Sequence, residues 1–248
     1  MLMGAEIYTL ILIALVAFGA SYVQGVTGFG FGIVAMIFLP GFLIYTEANL
    51  LSTFLGAITA LLIAIATFRR VNYKNLLFPL VGSVVTNYLS IEFIKASRNE
   101  TLVLLLGVAL FALSIYFFFF SDKIKIKPSW YSGLIAGTLS GIMGGLFSIS
   151  GPPVVVYYLQ SEEDTDSYLA TISVFFVLSG AIGSAMKIAS GFMTPNVLWG
   201  ALFGTLAMIA GTYLGKNTRS SIKPKSVKRI IYGVMAVSGL INIVTSLA

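Results

Sequence analysis

Apolar residues run along this chain in long uncharged stretches, at 7–45, 48–68, 76–91, 102–120, 131–159, 169–186, 197–214 and 230–247, separated by short segments that carry most of its charge. A helix rising about 1.5 Å per residue needs about 20 apolar residues to cross hydrocarbon, and most of these stretches are near that length. The first and fifth are longer, and each is interrupted by glycines. The interruptions read Gln24-Gly25-Val26-Thr27-Gly28-Phe29-Gly30-Phe31-Gly32 and Gly144-Gly145-Leu146-Phe147-Ser148-Ile149-Ser150-Gly151-Pro152-Pro153. The pattern predicts an all-α integral membrane protein of about eight hydrophobic segments, with segments one and five broken or re-entrant at these motifs.

Composition agrees with that class. With 58% hydrophobic and 10% charged residues and a mean hydropathy of +0.97, the chain has more apolar surface than a soluble core of its length could hide. Cysteine and histidine are both absent. That removes disulfides, thiol redox chemistry, haem ligation, the commonest zinc ligands and Ser–His proteolysis, so the chain reads as a non-enzyme without cofactor or metal. Residues 7–18 resemble a signal peptide in hydropathy, but a basic leader is missing and Glu6 is present, so they read as part of the mature protein.

A weak internal repeat runs through the single 248-residue domain. Three hydrophobic spans follow each broken segment, and short matches line up in the same order: Asn75-Leu76-Leu77-Phe78 with Asn196-Val197-Leu198-Trp199, Tyr88-Leu89 with Tyr213-Leu214, and Gly107-Val108-Ala109 with Gly233-Val234-Met235. The repeats are 1–120 and 129–248, joined by 121–129. If segments one and five enter and leave on the same face, the halves are inverted. Arg69, Arg70, Lys74, Lys123, Lys125, Lys127, Lys216, Arg219, Lys223, Lys225, Lys228 and Arg229 then share one face, leaving Lys95, Arg98 and Lys187 elsewhere. By the positive-inside rule that face is cytoplasmic, which places the protein as a multi-pass protein of a prokaryotic inner or plasma membrane with both termini outside. The arm 7–24, about 27 Å as a helix, is nearly a full crossing, so it must tilt, lie in the interface or span. The acidic run Glu162-Glu163-Asp164-Thr165-Asp166 falls on the basic face.

Unwound backbone at membrane depth is tolerated only where protein buries it or a wet cavity receives it. A helix that starts at such a break presents free N–H groups and a positive dipole end, and Pro152 and Pro153 suit its first turn. Two inverted breaks would aim two such ends at one point, an anion site built without charged side chains. The expected lining is Gln24, Gly25, Thr27, Gly28, Gly30, Ser148, Ser150, Gly151 and Pro152. Gly56, Gly82, Gly107, Gly180 and Gly233 are expected to serve helix packing instead. Tyr8, Tyr45, Tyr73, Trp130, Tyr131, Tyr168 and Trp199 read as interface anchors.

Other signals fail on context. Gly30-Phe31-Gly32-Ile33-Val34-Ala35 fits a dinucleotide-binding pattern but sits in a membrane segment, and neither glycine cluster is followed by a Walker lysine. Asn99-Glu100-Thr101 is a chance-frequency sequon. The acidic residues avoid mid-span positions, which argues against a cation pump. Lys187 reads as snorkelling to the interface, with an anion gate as the alternative.

The segments Gly25 to Gly32 followed by Pro40, and Gly141-Ile142-Met143-Gly144 through Pro153, resemble the two signature stretches of the TauE/SafE sulfite exporter family, also called the sulfonate uptake permease group. Length, segment count and two-half layout are similar too, so the resemblance covers nearly the whole chain. It implies transport of a small sulfur-containing anion such as sulfite, sulfoacetate or another organosulfonate; the residues alone reach only "small anion". Ser148 and Ser150 stand where that family commonly has glycine, a departure that bears on ligand choice. The expected partners are that anion and the lipid bilayer, with no nucleic acid. The coupling ion and a homo-oligomeric state are left open. A passive anion channel and a non-transporting assembly subunit are the alternatives.

Overall fold

A computed structural model of the chain describes residues 2–120, 126–219, 221 and 224–247. Among the described residues there is no strand. The helices are α1 (Leu2–Thr27), α2 (Phe31–Phe38), α3 (Tyr45–Thr67), α4 (Tyr73–Ala96), α5 (Asn99–Phe119), α6 (Trp130–Phe147), α7 (Gly151–Ser161), α8 (Thr165–Ala189), α9 (Pro195–Thr218) and α10 (Pro224–Leu247). Seven of them, α1, α3, α4, α5, α8, α9 and α10, are long and apolar enough to cross a membrane. The chain is an all-α integral membrane protein.

Both long segments are broken at the glycine motifs, as expected. In the first, Ile7–Thr27 is long enough to span, one of the three courses open to the 7–24 arm, and the short helix α2 follows the break. The fifth divides into α6 and α7, neither of which is among the seven candidate spans.

Polar caps start four of the long helices. Asn72 accepts from the Asn75 N–H, Ser129 and Ser132 form a capping box, Asp164 accepts from the N–H groups of Asp166 and Ser167, and Thr194 accepts from Val197 N–H with Pro195 following at the first helical position. Ion pairs and hydrogen bonds then sort the ends. Arg70 lies 3.2 Å from Asp166 and 3.7 Å from Asp164, and the Ile126 N–H donates to Gln160. At the opposite end Thr194 and Asn196 donate to the buried Glu47 carboxylate, and Tyr45 N–H donates to Asn99. Arg69, Arg70, Lys74, Lys127, Lys216 and Arg219 therefore gather at one end, with the acidic run, while Lys95 and Arg98 lie at the other. The side chains of Lys123, Lys125, Lys223, Lys225, Lys228 and Arg229 lie outside the described residues.

Two helix pairs distant in sequence pack side by side. α1 packs along α9 in parallel, Gly200, Gly204, Gly211 and Gly215 facing Ile13, Ala17, Ser21 and Tyr22 in turn. α6 packs along α4 in the same way, Gly133 and Gly137 against Pro79, Gly141 against Ser83 and Thr86, and Gly145 against Ser90. Small residues spaced by four along α6, and by four, seven and four along α9, let the backbones approach, the usual route to close packing in lipid. A Cβ at Gly137 would fall on the Pro79 carbonyl. Between these pairs α3 meets α8 and α5 meets α10, each antiparallel, with Ala57 against Gly180 and Gly107 against Gly239.

Some expectations are corrected here. Gly82 and Gly107 do pack helices; Gly56 and Gly180 pack on Phe31 and Ala57 but also line the central cavity, so packing is not their whole role; a Cβ at Gly233 would meet nothing within 4 Å among the described residues, so no close packing requires that glycine. Tyr45 and Tyr168 are buried rather than interfacial, at 1% and 7% exposure, whereas Tyr8, Tyr73, Trp130, Tyr131 and Trp199 are more than half exposed, as anchors would be.

Candidate functional site

Both breaks open on one cavity of about 60 Å³, walled by Gln24, Gly30, Ser148, Ser150 and Gly151 together with the middle of α3 and α8 and with Asn87 of α4. That is room for a few waters or one small solute.

The first break is made by two glycines in the left-handed region, Gly28 at φ 84° and Gly30 at φ 103°, which side chains rarely adopt. The Gly28 N–H closes α1 on the Gln24 carbonyl (2.8 Å), and the Thr27 hydroxyl reaches the Phe29 carbonyl (2.6 Å). Arg219 donates to the Gly25 carbonyl through Nε (3.1 Å) and Nη2 (2.5 Å). The second break turns on Ser148, left-handed at φ 56° without being glycine. Its hydroxyl holds the strained turn in place, 2.7 Å from the Asn49 carbonyl and 2.7 Å from Thr53 Oγ1. The serine thus takes a conformation that glycine would supply, while Ser150 remains right-handed.

Acceptors at the breaks are consumed. Asn49 Nδ2 donates to the Leu146 carbonyl (2.8 Å) and the Tyr45 hydroxyl donates to the same oxygen (2.6 Å). Ser140 donates to the Ser150 carbonyl (2.6 Å), and the Val34 N–H to that of Gly30 (3.1 Å). Donors are left over. Neither α2 nor α7 has a side-chain cap, and the N–H groups of Phe31, Gly32, Ile33, Ser150 and Gly151 have no acceptor among the described residues. Pro152 and Pro153 carry no N–H, so α7 offers fewer donors than an ordinary first turn. Two helix starts with free N–H groups and positive dipole ends therefore face the cavity.

Of the expected lining, Gln24, Gly30, Ser148, Ser150 and Gly151 come together. Gly25, Thr27, Gly28 and Pro152 do not line the cavity. Gly25 packs on Gly215 and Thr212 of α9, a Cβ on Gly28 would strike Leu169 at 2.7 Å, and Thr27 spends its hydroxyl on the turn. Pro152 lines a separate apolar cleft of about 460 Å³ with Tyr116, Met143 and Val156.

Lys187, Ser52, Thr53 and Asn87 complete the site; of these the sequence singles out only Lys187, as a snorkelling residue with an anion gate as the alternative. Lys187 is fully buried, and its Nζ donates to Thr53 Oγ1 (2.6 Å), with the Gly144 carbonyl at 3.4 Å and Ser148 Oγ at 3.5 Å. It does not snorkel, and the site is not free of charged side chains. Ser52 Oγ and Asn87 Oδ1, both on the cavity wall, are buried without a hydrogen-bond partner among the described residues. No group of histidine, cysteine or carboxylate able to hold a metal occurs among the described residues.

At the basic end a polar cleft of about 630 Å³ includes Arg69, Arg70, Lys74 and Glu162. Partial burial pushes the Glu162 carboxyl upward, partly offset by the Asn75 amide that donates to it (3.0 Å). The Ser167 N–H and hydroxyl hold the exposed Asp164 carboxyl below its ordinary range.

Comparison with known proteins gives this geometry a context. The model of the family described as "Sulfite exporter TauE/SafE" matches residues 13–241. A protein of Cupriavidus necator named "Probable sulfite/organosulfonate exporter TauE" is 26% identical over 227 residues, covering 87% of this chain and 86% of that protein. No solved structure matches. With the family match running through both breaks and from α1 into α10, the chain belongs to the TauE/SafE sulfite exporter family.

Proposed function

We propose that this protein is a secondary transporter that carries a small sulfur-containing anion, sulfite or an organosulfonate such as sulfoacetate, across the cell membrane. The anion sits in the cavity between the two breaks, held by the N–H groups that open α2 and α7 and oriented by Gln24, Ser148 and Ser150. One observation carries the reading: two helix N-termini without side-chain caps, one from each half, meet at a single small cavity. The name of the Cupriavidus necator relative supports the sulfur class.

The repeated order of long helix, break, short helix and three long helices supports two halves, 1–120 and 129–248, of opposite orientation. Alternating access would then rock the halves about the cavity. The basic end is cytoplasmic in this reading, because Lys and Arg collect there.

A thermal-shift screen of the purified protein against sulfite, sulfate, thiosulfate, sulfoacetate, taurine and chloride tests it. One or more sulfur anions should raise the melting temperature, and a ligand at about 100 times its Kd adds about 2.7 kcal/mol, while chloride does not. Absence of stabilisation by every sulfur anion would overturn the assignment. In vesicles, saturable flux stimulated by substrate on the far side identifies a carrier, and flux that neither saturates nor responds identifies a channel.

A further inference from the structure

Lys187 stands three hydrogen-bonding groups deep in a place where a lone ammonium is costly. It belongs to α8, close enough to that helix's end for an ordinary lysine to reach the interface, yet its side chain is directed inward and is 0% exposed. Among the described residues no carboxylate pairs with it. A buried cation is normally retained only with a counter-charge. Its protein partners compensate weakly. The Thr53 hydroxyl at 2.6 Å is a good acceptor, but the Gly144 carbonyl at 3.4 Å and Ser148 Oγ at 3.5 Å lie at the long limit, and the Gly144 carbonyl already accepts from the Ser148 N–H. Thr53 and Ser148 both line the central cavity, so the ammonium lies one hydrogen bond behind its wall. The same wall holds Ser52 Oγ, a hydroxyl buried without a partner among the described residues, which leaves a donor for a polar occupant.

Taking the cavity as the substrate site, as proposed above, we infer that Lys187 is the charge partner of the bound anion and sets the site's preference for charged over neutral solutes of the same shape. It is a positioning residue that acts through the Thr53 and Ser148 hydroxyls, so that the substrate's negative charge completes an ion pair the fold leaves half made. A lysine that merely capped the C-terminal end of α6 would leave ligand charge irrelevant.

Three pyramidal sulfur compounds of similar shape separate these roles: sulfite, the monoanion methanesulfinate, and neutral dimethyl sulfoxide. Their Kd values are measured by thermal shift for the wild type, Lys187→Gln and Lys187→Arg. In the wild type affinity falls in that order. Lys187→Gln weakens sulfite by about 30-fold or more and flattens the order, and Lys187→Arg preserves the order. In parallel, lysine side-chain nitrogen resonances of the labelled wild-type protein are followed during a sulfite titration, so the outcome does not depend on a variant that folds poorly. The Lys187 signal, assigned by its loss in Lys187→Arg, should move with the Kd of binding. If sulfite binds Lys187→Gln as it binds the wild type, or if sulfite binds while the Lys187 signal stays still, this inference fails and the transporter reading stands. If none of the anions binds the wild type, both fall.

Discussion

Replacing Gly32 by alanine is expected to cost about 1–3 kcal/mol and to abolish ligand-dependent stabilisation. The added methyl would fall directly on the Ser148 carbonyl, because α2 and the second break touch backbone to backbone at this point. Neither side can yield cheaply. Ser148 is tied through its N–H to Gly144, and through its hydroxyl to Asn49 and Thr53, while Gly30 fixes where α2 begins. A helix-interior alanine normally gains about 0.5–1 kcal/mol over glycine, so the sign of the effect reports the close approach itself. Gly19→Ala supplies the contrast: a Cβ there meets nothing within 4 Å, and that variant should be as stable as the wild type or slightly more so. Melting temperatures of the two purified variants decide the matter, and equal melting of both would mean that the breaks do not meet.

Ser150→Leu is expected to abolish flux while leaving a folded, extractable protein. The side chain lines a cavity of only about 60 Å³, so a branched apolar group there competes for the space of the solute. The fold should tolerate the change because the structural bond at this position is made by the Ser150 carbonyl, which accepts from Ser140. Ser150→Ala removes one hydroxyl and no space, and should weaken binding only several-fold, as loss of one hydrogen bond of about 1 kcal/mol implies. Uptake into vesicles reads both variants. Normal uptake by Ser150→Leu would remove the cavity from the transport path.

The membrane class, the helices and the positions of both breaks were legible because each follows from local physics: hydrophobic length sets a span, and glycine with proline ends one. What a residue does beside a break was less legible. Gln24 and Gly28 are four residues apart in the same motif, yet one lines the cavity and the other turns the chain against Leu169, a difference that depends on how α8 packs. Pro152 follows Gly151 directly and still belongs to a different cleft. Lys187 was weighed the wrong way, with snorkelling set ahead of the anion-gate alternative. Its place near the end of a span made the interface its default, and only the packing of α8 on α3 directs it inward. Asn49, Ser52 and Thr53 did leave a trace, as three polar residues at helical spacing on one face of an apolar segment, but the partners of Asn49 and Thr53 lie about 100 residues away in the second break. The glycines at 133, 137, 141 and 145 likewise announce a packing seam without naming α4 as its partner.

The central claim is that two electropositive helix starts, backed by one buried lysine, hold an anion between the halves. The most direct test is a crystal of the protein soaked in selenite, the heavier analogue of sulfite, with data collected at the selenium edge. The account predicts one anomalous peak within hydrogen-bonding distance of the N–H groups that open α2 and α7, lost in Ser150→Leu crystals. A peak only outside this cavity, or unbroken helices running through Gly28–Gly30 and Ser148–Ser150 with no space between them, would contradict it.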